Sequence, residues 1–111
     1  MATAIFVHDG DSIDYTPRSD VAAGDVVVQG DLIGVAKRDI PAGTLGALAV
    51  TGVFDMPKLA NAGVTIAAGA KVYWAESPKV VMHDWGAGPY LGKAVKAAAD
   101  ADATVRVRLE Q

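Results

Sequence analysis

Hydrophobic and polar residues alternate along this chain in short runs, and turn-forming residues interrupt each run before it lengthens. Ile13 and Tyr15 fall on one side of residues 12–16 with Asp14 on the other, the period-two signature of a half-buried strand. The same reasoning predicts strands at 26–29, 32–37, 48–54, 71–75, 79–83, 90–95 and 104–109. Residues 2–7, rich in β-formers at Ile5, Phe6 and Val7, are expected to pair with 12–16 as a hairpin through the Asp9-Gly10 turn. Gln29-Gly30-Asp31 marks a tight reversal, and 39–46, with Pro41 and Gly43, a loop. Gly52, inside the strand expected at 48–54, suggests a bulge.

The pattern is stated twice. Ala22-Ala23-Gly24-Asp25-Val26-Val27-Val28 returns as Ala67-Ala68-Gly69-Ala70-Lys71-Val72-Tyr73. Leu32-Ile33-Gly34-Val35-Ala36 returns as Tyr90-Leu91-Gly92-Lys93-Ala94-Val95, and the alternation of 47–53 has its counterpart in 104–109. The expected fold is all-β: a small barrel or sandwich built from two related repeats plus the N-terminal hairpin, with little helix. A single domain spans 1–111, with an arm or hairpin at 1–16, a first repeat at 21–56 and a second at 66–109.

Two segments test this reading. Residues 55–63 offer a short helix, with Asp55 as N-cap, Pro57 in the first turn and Gly63 as terminator, although an irregular loop fits them equally. Residues 93–103 are Ala-rich, and propensity alone says helix. The matching part of the first repeat is strand followed by loop, so the repeat predicts strand and loop here too.

Composition narrows the function. With 111 residues and 51% hydrophobic content, one core is affordable without staples, but Ala and Val dominate it, so self-association is a natural source of added stability. The absence of Cys excludes disulfides and thiolate chemistry. A net charge of −3, with scattered basic residues, speaks against a nucleic-acid partner. Arg106 and Arg108 share a face of the last strand, a weak patch as it stands. Neither a signal peptide nor a membrane-length apolar stretch is present, so a soluble protein made in the cytosol is expected.

Candidate chemistry is thin. Gly86-Ala87-Gly88-Pro89-Tyr90-Leu91-Gly92-Lys93 imitates a phosphate-binding loop, but Ala87 stands where the first Gly belongs, Pro89 lacks an N–H, and Ala94 replaces the required hydroxyl. His8-Asp9 and His83-Asp84 carry metal-ligand types at strand ends without spacing that brings them together. Asp9, Asp11 and Asp14 miss the calcium-loop pattern because Gly10 falls too early. Ser12, Ser19 and Ser77 lie in no nucleophile-elbow sequence. No catalytic, cofactor-binding or metal-binding residue is assigned, and no cofactor is expected. Trp74, Trp85 and Tyr90 cluster in the second repeat; Trp74 and Tyr73 must face opposite ways, so one points outward or into a subunit contact.

Phe6-Val7-x-x-Gly10-Asp11, Ala22-Ala23-Gly24-Asp25-Val26-Val27, Leu32-Ile33-Gly34-Val35-Ala36, Gly52-Val53-Phe54-Asp55-Met56-Pro57-Lys58, Gly69-Ala70-Lys71-Val72-Tyr73-Trp74 and Leu91-Gly92-Lys93-Ala94-Val95 occur in an order that resembles the capsid cement (decoration) proteins of tailed phages and prophages. That family was once a domain of unknown function, sometimes labelled a phage recombinase. The resemblance implies a β-rich, non-enzymatic virion protein on the outside of the expanded head, a homo-oligomer, dimer or trimer, that clamps neighbouring major capsid subunits. Its partners would be the major capsid protein and itself, with no nucleic acid and no membrane. Thr3, Ile5, Phe6, Trp74, Trp85 and Tyr90 are the expected oligomer or capsid contacts. The alternatives are a virion-displayed carbohydrate- or host-surface-binding module using Trp74, Trp85 and Tyr90, and a nucleotide-dependent phage recombinase.

Overall fold

The computed structural model describes residues 3–60, 63–84 and 86–110. Nine strands and no helix occur among them: β1 (Ser12–Tyr15), β2 (Val26–Gln29), β3 (Leu32–Ala36), β4 (Gly46–Ala49), β5 (Gly52–Pro57), β6 (Lys71–Ala75), β7 (Val80–Met82), β8 (Tyr90–Ala94) and β9 (Thr104–Leu109). They form two antiparallel sheets, ordered β1-β4-β3-β2 and β5-β9-β8-β6-β7. Neither sheet closes on itself, so of the two expected architectures the sandwich is the one adopted.

The two halves are equivalent strand by strand. β2, β3 and β4 correspond to β6, β8 and β9, and the sheet orders extend the match to β1 and β5, each beside the last strand of its unit. Hydrogen bonds repeat the correspondence. Gly24 N donates to Ala36 O at 2.6 Å, as Gly69 N does to Ala94 O at 2.6 Å. Val21 and Ile40 exchange two backbone bonds, and so do Ile66 and Ala98. β7 is the addition of the second half, entered by a turn where the first half has only Gly30-Asp31.

Residues 93–103 follow the repeat rather than their helix propensity. Ala94 ends β8, and Ala98 makes the isolated bridge to Ile66. Backbone pairing across the sheet thus overrides the modest preference of Ala for helix.

Three expectations are corrected. The N-terminal hairpin does not form: β1 pairs with β4, and residues 3–8 carry no strand. The supposed strand at 48–54 is two strands in different sheets. Gly52, at φ +118°, takes a backbone conformation closed to most side chains and turns the chain from β4 into β5. The short helix at 55–63 is absent, because Asp55, Met56 and Pro57 belong to β5 and pair with Arg106, Val105 and Thr104. Part of that proposed helix, Asn61 and Ala62, lies outside the described residues.

β9 shows why these residues make a sandwich. Val105, Val107 and Leu109 are at most 3% exposed, while Thr104, Arg106 and Arg108 between them face outward. The main core joins them to Ile33 and Val35 of the first sheet and to Met56, Val72, Trp74 and Leu91. The first sheet is covered on its other face as well, where Ala36, Ile40 and Leu48 are packed by Ile13, Tyr15, Val21 and Val27. With a radius of gyration of 15.1 Å, the chain is more extended than the ~13 Å of a compact domain this size.

The glycine shared by both repeats has a steric cause. A Cβ on Gly92 would sit 1.9 Å from the Arg108 carbonyl oxygen, and one on Gly34 would sit 2.7 Å from the Leu48 Cβ. Each permits its strand to lie against the last strand of its half. Gly92→Ala is therefore expected to destabilise the protein by about 1–3 kcal/mol through forced separation of β8 and β9. Gly86→Ala, whose Cβ meets nothing within 4 Å, is the control and leaves the urea midpoint nearly unchanged.

Candidate functional site

Register builds a surface that no single strand displays. Lys71 of β6 lies opposite Lys93 of β8, Lys93 lies opposite Arg108 of β9, and Arg108 lies opposite Val53 of β5. Cross-strand partners project from one face of a sheet, so three cations stand in a row on the outside of the five-stranded sheet. Arg106 projects beside them, two residues from Arg108, and Lys96 borders the face near Asp55. Half of the chain's ten basic residues thus gather on one side of a protein whose net charge is −3.

Like charges facing each other across strands repel, and neutralisation here is partial. Glu110 approaches Lys93 at 3.5 Å, and Asp55 takes two hydrogen bonds from Arg106, 2.9 Å from Nε and 3.3 Å from Nη2. Lys71 and Arg108 have no carboxylate within ion-pair distance among the described residues. The Arg106 hydrogen bond holds the Asp55 carboxyl below its ordinary pKa, and the same bond raises that of Arg106. Both groups are solvent-exposed, so the pair orients side chains more than it stabilises the fold.

Apolar residues interleave with the cations. Val53 is 55% exposed, and Val95, whose N–H donates to the Arg106 carbonyl, is 46% exposed. Tyr73 and Tyr90 face each other across β6 and β8 with ring centroids 5.7 Å apart in an edge-to-face arrangement. A bulge between Val72 and Tyr73 brings them together. Their rings are engaged with each other.

The expected contact residues separate. Thr3, Ile5 and Phe6 belong to an exposed arm without secondary structure, with Ile5 88% and Phe6 79% accessible. Tyr90 is half-buried at the edge of the cationic face. Trp74 points inward at 2% exposure, so its ring is core and Tyr73 takes the outward place. Trp85 lies outside the described residues. The glycine-rich segment leads directly into β8, so its geometry is that of a strand approach, with Gly88 packed against the Trp74 carbonyl. His83 Nε2 lies 3.2 Å from Gly63 O and His8 Nδ1 2.6 Å from Asp9 O, so each imidazole has a backbone neighbour.

Trp74 carries one anomaly. Its indole Nε1 is buried without a hydrogen-bond partner among the described residues. A donor stranded in this way costs about 1–3 kcal/mol.

The sequence reading missed a second buried polar group. Lys58 is 4% exposed, and its ammonium donates to the carbonyls of Leu59 at 2.8 Å, Asp102 at 3.1 Å and Asp100 at 3.2 Å. It pins the end of β5 to the turn at 99–102. That turn is held again by Asp102, which accepts from Ala99 N at 2.8 Å, and by Asp100, which accepts from the Thr65 hydroxyl.

The motif and the match to known proteins now coincide. A family model described as phage cement protein matches residues 7–109. The chain belongs to the phage cement protein family. No curated protein and no solved structure matches it. A cement protein is a capsid-stabilising structural protein, and a virion location follows from membership. The Gly52-to-Lys58 stretch is, in this light, a fastening: Gly52 switches sheets, Met56 fills the core and Lys58 locks the strand end.

Lys58→Met keeps the stem but orphans the carbonyls, and is expected to cost roughly 2–4 kcal/mol in urea unfolding. Acid should loosen the same region. The Thr65 hydroxyl and the backbone N–H groups of Gly63 and Val64 lower the Asp100 pKa from 3.8. Its ionised form therefore favours folding: the contribution is complete above the unfolded value and is lost as pH falls through the native one. Melting temperature should fall from about pH 4 downward, and less steeply in Asp100→Asn, as followed by circular dichroism.

Proposed function

We propose that this cement protein binds the outer surface of the expanded phage head through the cationic face of its five-stranded sheet. There it clamps neighbouring major capsid subunits as a non-enzymatic homo-oligomer, after synthesis in the bacterial cytoplasm. The carrying observation is the cross-strand row Lys71–Lys93–Arg108, a costly grouping of like charges kept on an acidic protein. An acidic partner surface relieves that repulsion on docking, and Val53, Val95, Tyr73 and Tyr90 add apolar contact between the charges. The rest of the surface stays acidic, which suits a particle exterior.

Cement activity needs many modest contacts rather than one tight pocket. Copies linked to one another and to a repeating lattice gain in avidity what each contact lacks. The exposed arm at Thr3, Ile5 and Phe6 adds to the apolar contact of the body.

The experiment is co-sedimentation with expanded, decoration-free heads. Wild-type protein should pellet with the heads and protect them from heat, and its binding should weaken as salt rises. Lys93→Glu combined with Arg108→Glu should lower affinity roughly tenfold or more while the circular dichroism spectrum stays native. Undiminished, salt-independent binding by the charge-reversed protein would remove the cationic face from the interface.

A further inference from the structure

The two outer edges of the four-stranded sheet are unlike each other, and the difference assigns the arm a destination. β2 pairs with β3 on one side only. Beside its free edge lies a groove of about 550 Å³, lined by Val26, Val27 and Val28 of β2 and by Trp74, Glu76 and Lys79 of the β6–β7 hairpin. Trp74, one of its lining residues, is a core residue and so reports on what occupies the groove beside it. The unpaired strand edge calls for an extended peptide that offers main-chain hydrogen bonds.

The chain carries such a peptide. Residues 3–7, Thr-Ala-Ile-Phe-Val, are uncharged, contain no Pro and favour strand, and Ile5, Phe6 and Val7 are 88%, 79% and 81% exposed. Their own molecule cannot use them at β2. The arm enters the sheet at β1, which the order β1-β4-β3-β2 places at the opposite edge. A strand added outside β2 lies four inter-strand steps from β1, about 19 Å. From Asp11 back to Val7 the chain spans four residues, about 14 Å when fully extended. Residues 3–7 therefore cannot all lie along β2 of their own copy, whereas the arm of another copy can.

We infer that residues 3–7 of one copy add as a fifth strand to β2 of a second copy, filling the groove beside Trp74. This deepens the homo-oligomer in the reading above. Donor and receptor edges lie on opposite sides of the sheet, so the contact is head-to-tail and forms a ring where the rotation between copies closes. Every copy in a closed ring turns its cationic face at the same angle to the ring axis. The assembly then presents several such faces to one underlying surface.

Sedimentation equilibrium of the full chain, joined to ¹⁵N–¹H spectra of the indole groups, tests this, with Trp85→Phe assigning the Trp74 signal. Wild type should be an oligomer. Phe6→Asp alters an exposed arm residue and should give a monomer with an unchanged circular dichroism spectrum and a shifted Trp74 N–H signal, because the groove beside that ring empties. A wild-type protein that is monomeric, or a Phe6→Asp protein that keeps both its oligomer and its Trp74 signal, overturns the inference. Head binding is scored separately. Monomeric Phe6→Asp that still binds heads weakly upholds the exchanged arm and the capsid reading together. A wild-type oligomer that ignores heads upholds the arm and defeats the capsid reading.

Discussion

The approach of β8 to β9 at Gly92 is the constraint on which the rest of the second sheet depends. With no side chain there, the backbone passes within reach of the Arg108 carbonyl, and the ladder settles with Gly92 opposite Leu109. That register fixes both faces at once. Inward it sets Ala94 against Val107 in the core; outward it sets Lys93 across from Arg108. A slip by one residue would bury the cations and expose the core, so the hydrophobic pattern that holds the fold also holds the charged row in place. Stability and surface chemistry are two readings of one alignment.

The duplication was legible because its signal is local. Gly24 and Gly69, Gly34 and Gly92, and the alternation of β9 are carried by adjacent residues, and they located most strands to within a position or two. The wider correspondence of β1 with β5 was not legible, since Ile13-Asp14-Tyr15 and Phe54-Asp55-Met56 share little beyond a central Asp. Their equivalence is a matter of which strand each lies beside, and only the sheet order displays it. The missing hairpin fails for a related reason: a good turn and two β-forming runs specify a pairing only if no better partner exists, and β4 is the better partner for β1.

The candidate site was hidden by the same distinction. Arg106 and Arg108 could be seen to share a face, but Lys71 and Lys93 reach that face from strands far away in sequence. Lys58 shows no role in the sequence, because burial of its ammonium among the carbonyls of Leu59, Asp100 and Asp102 depends on a turn more than forty residues away. Trp74 was correctly set against Tyr73, but parity alone does not say which of the pair faces the core.

The added β7 hairpin has a practical consequence. Two halves with the same strand plan differ there, one reversing at Gly30-Asp31 and the other carrying a whole extra loop and strand between matching positions. The second half thus demonstrates that chain length can grow at this corner while the conserved ladder stays intact. Gly30-Asp31 is by that token the natural graft point of the first half, a place to splice in a foreign epitope for display.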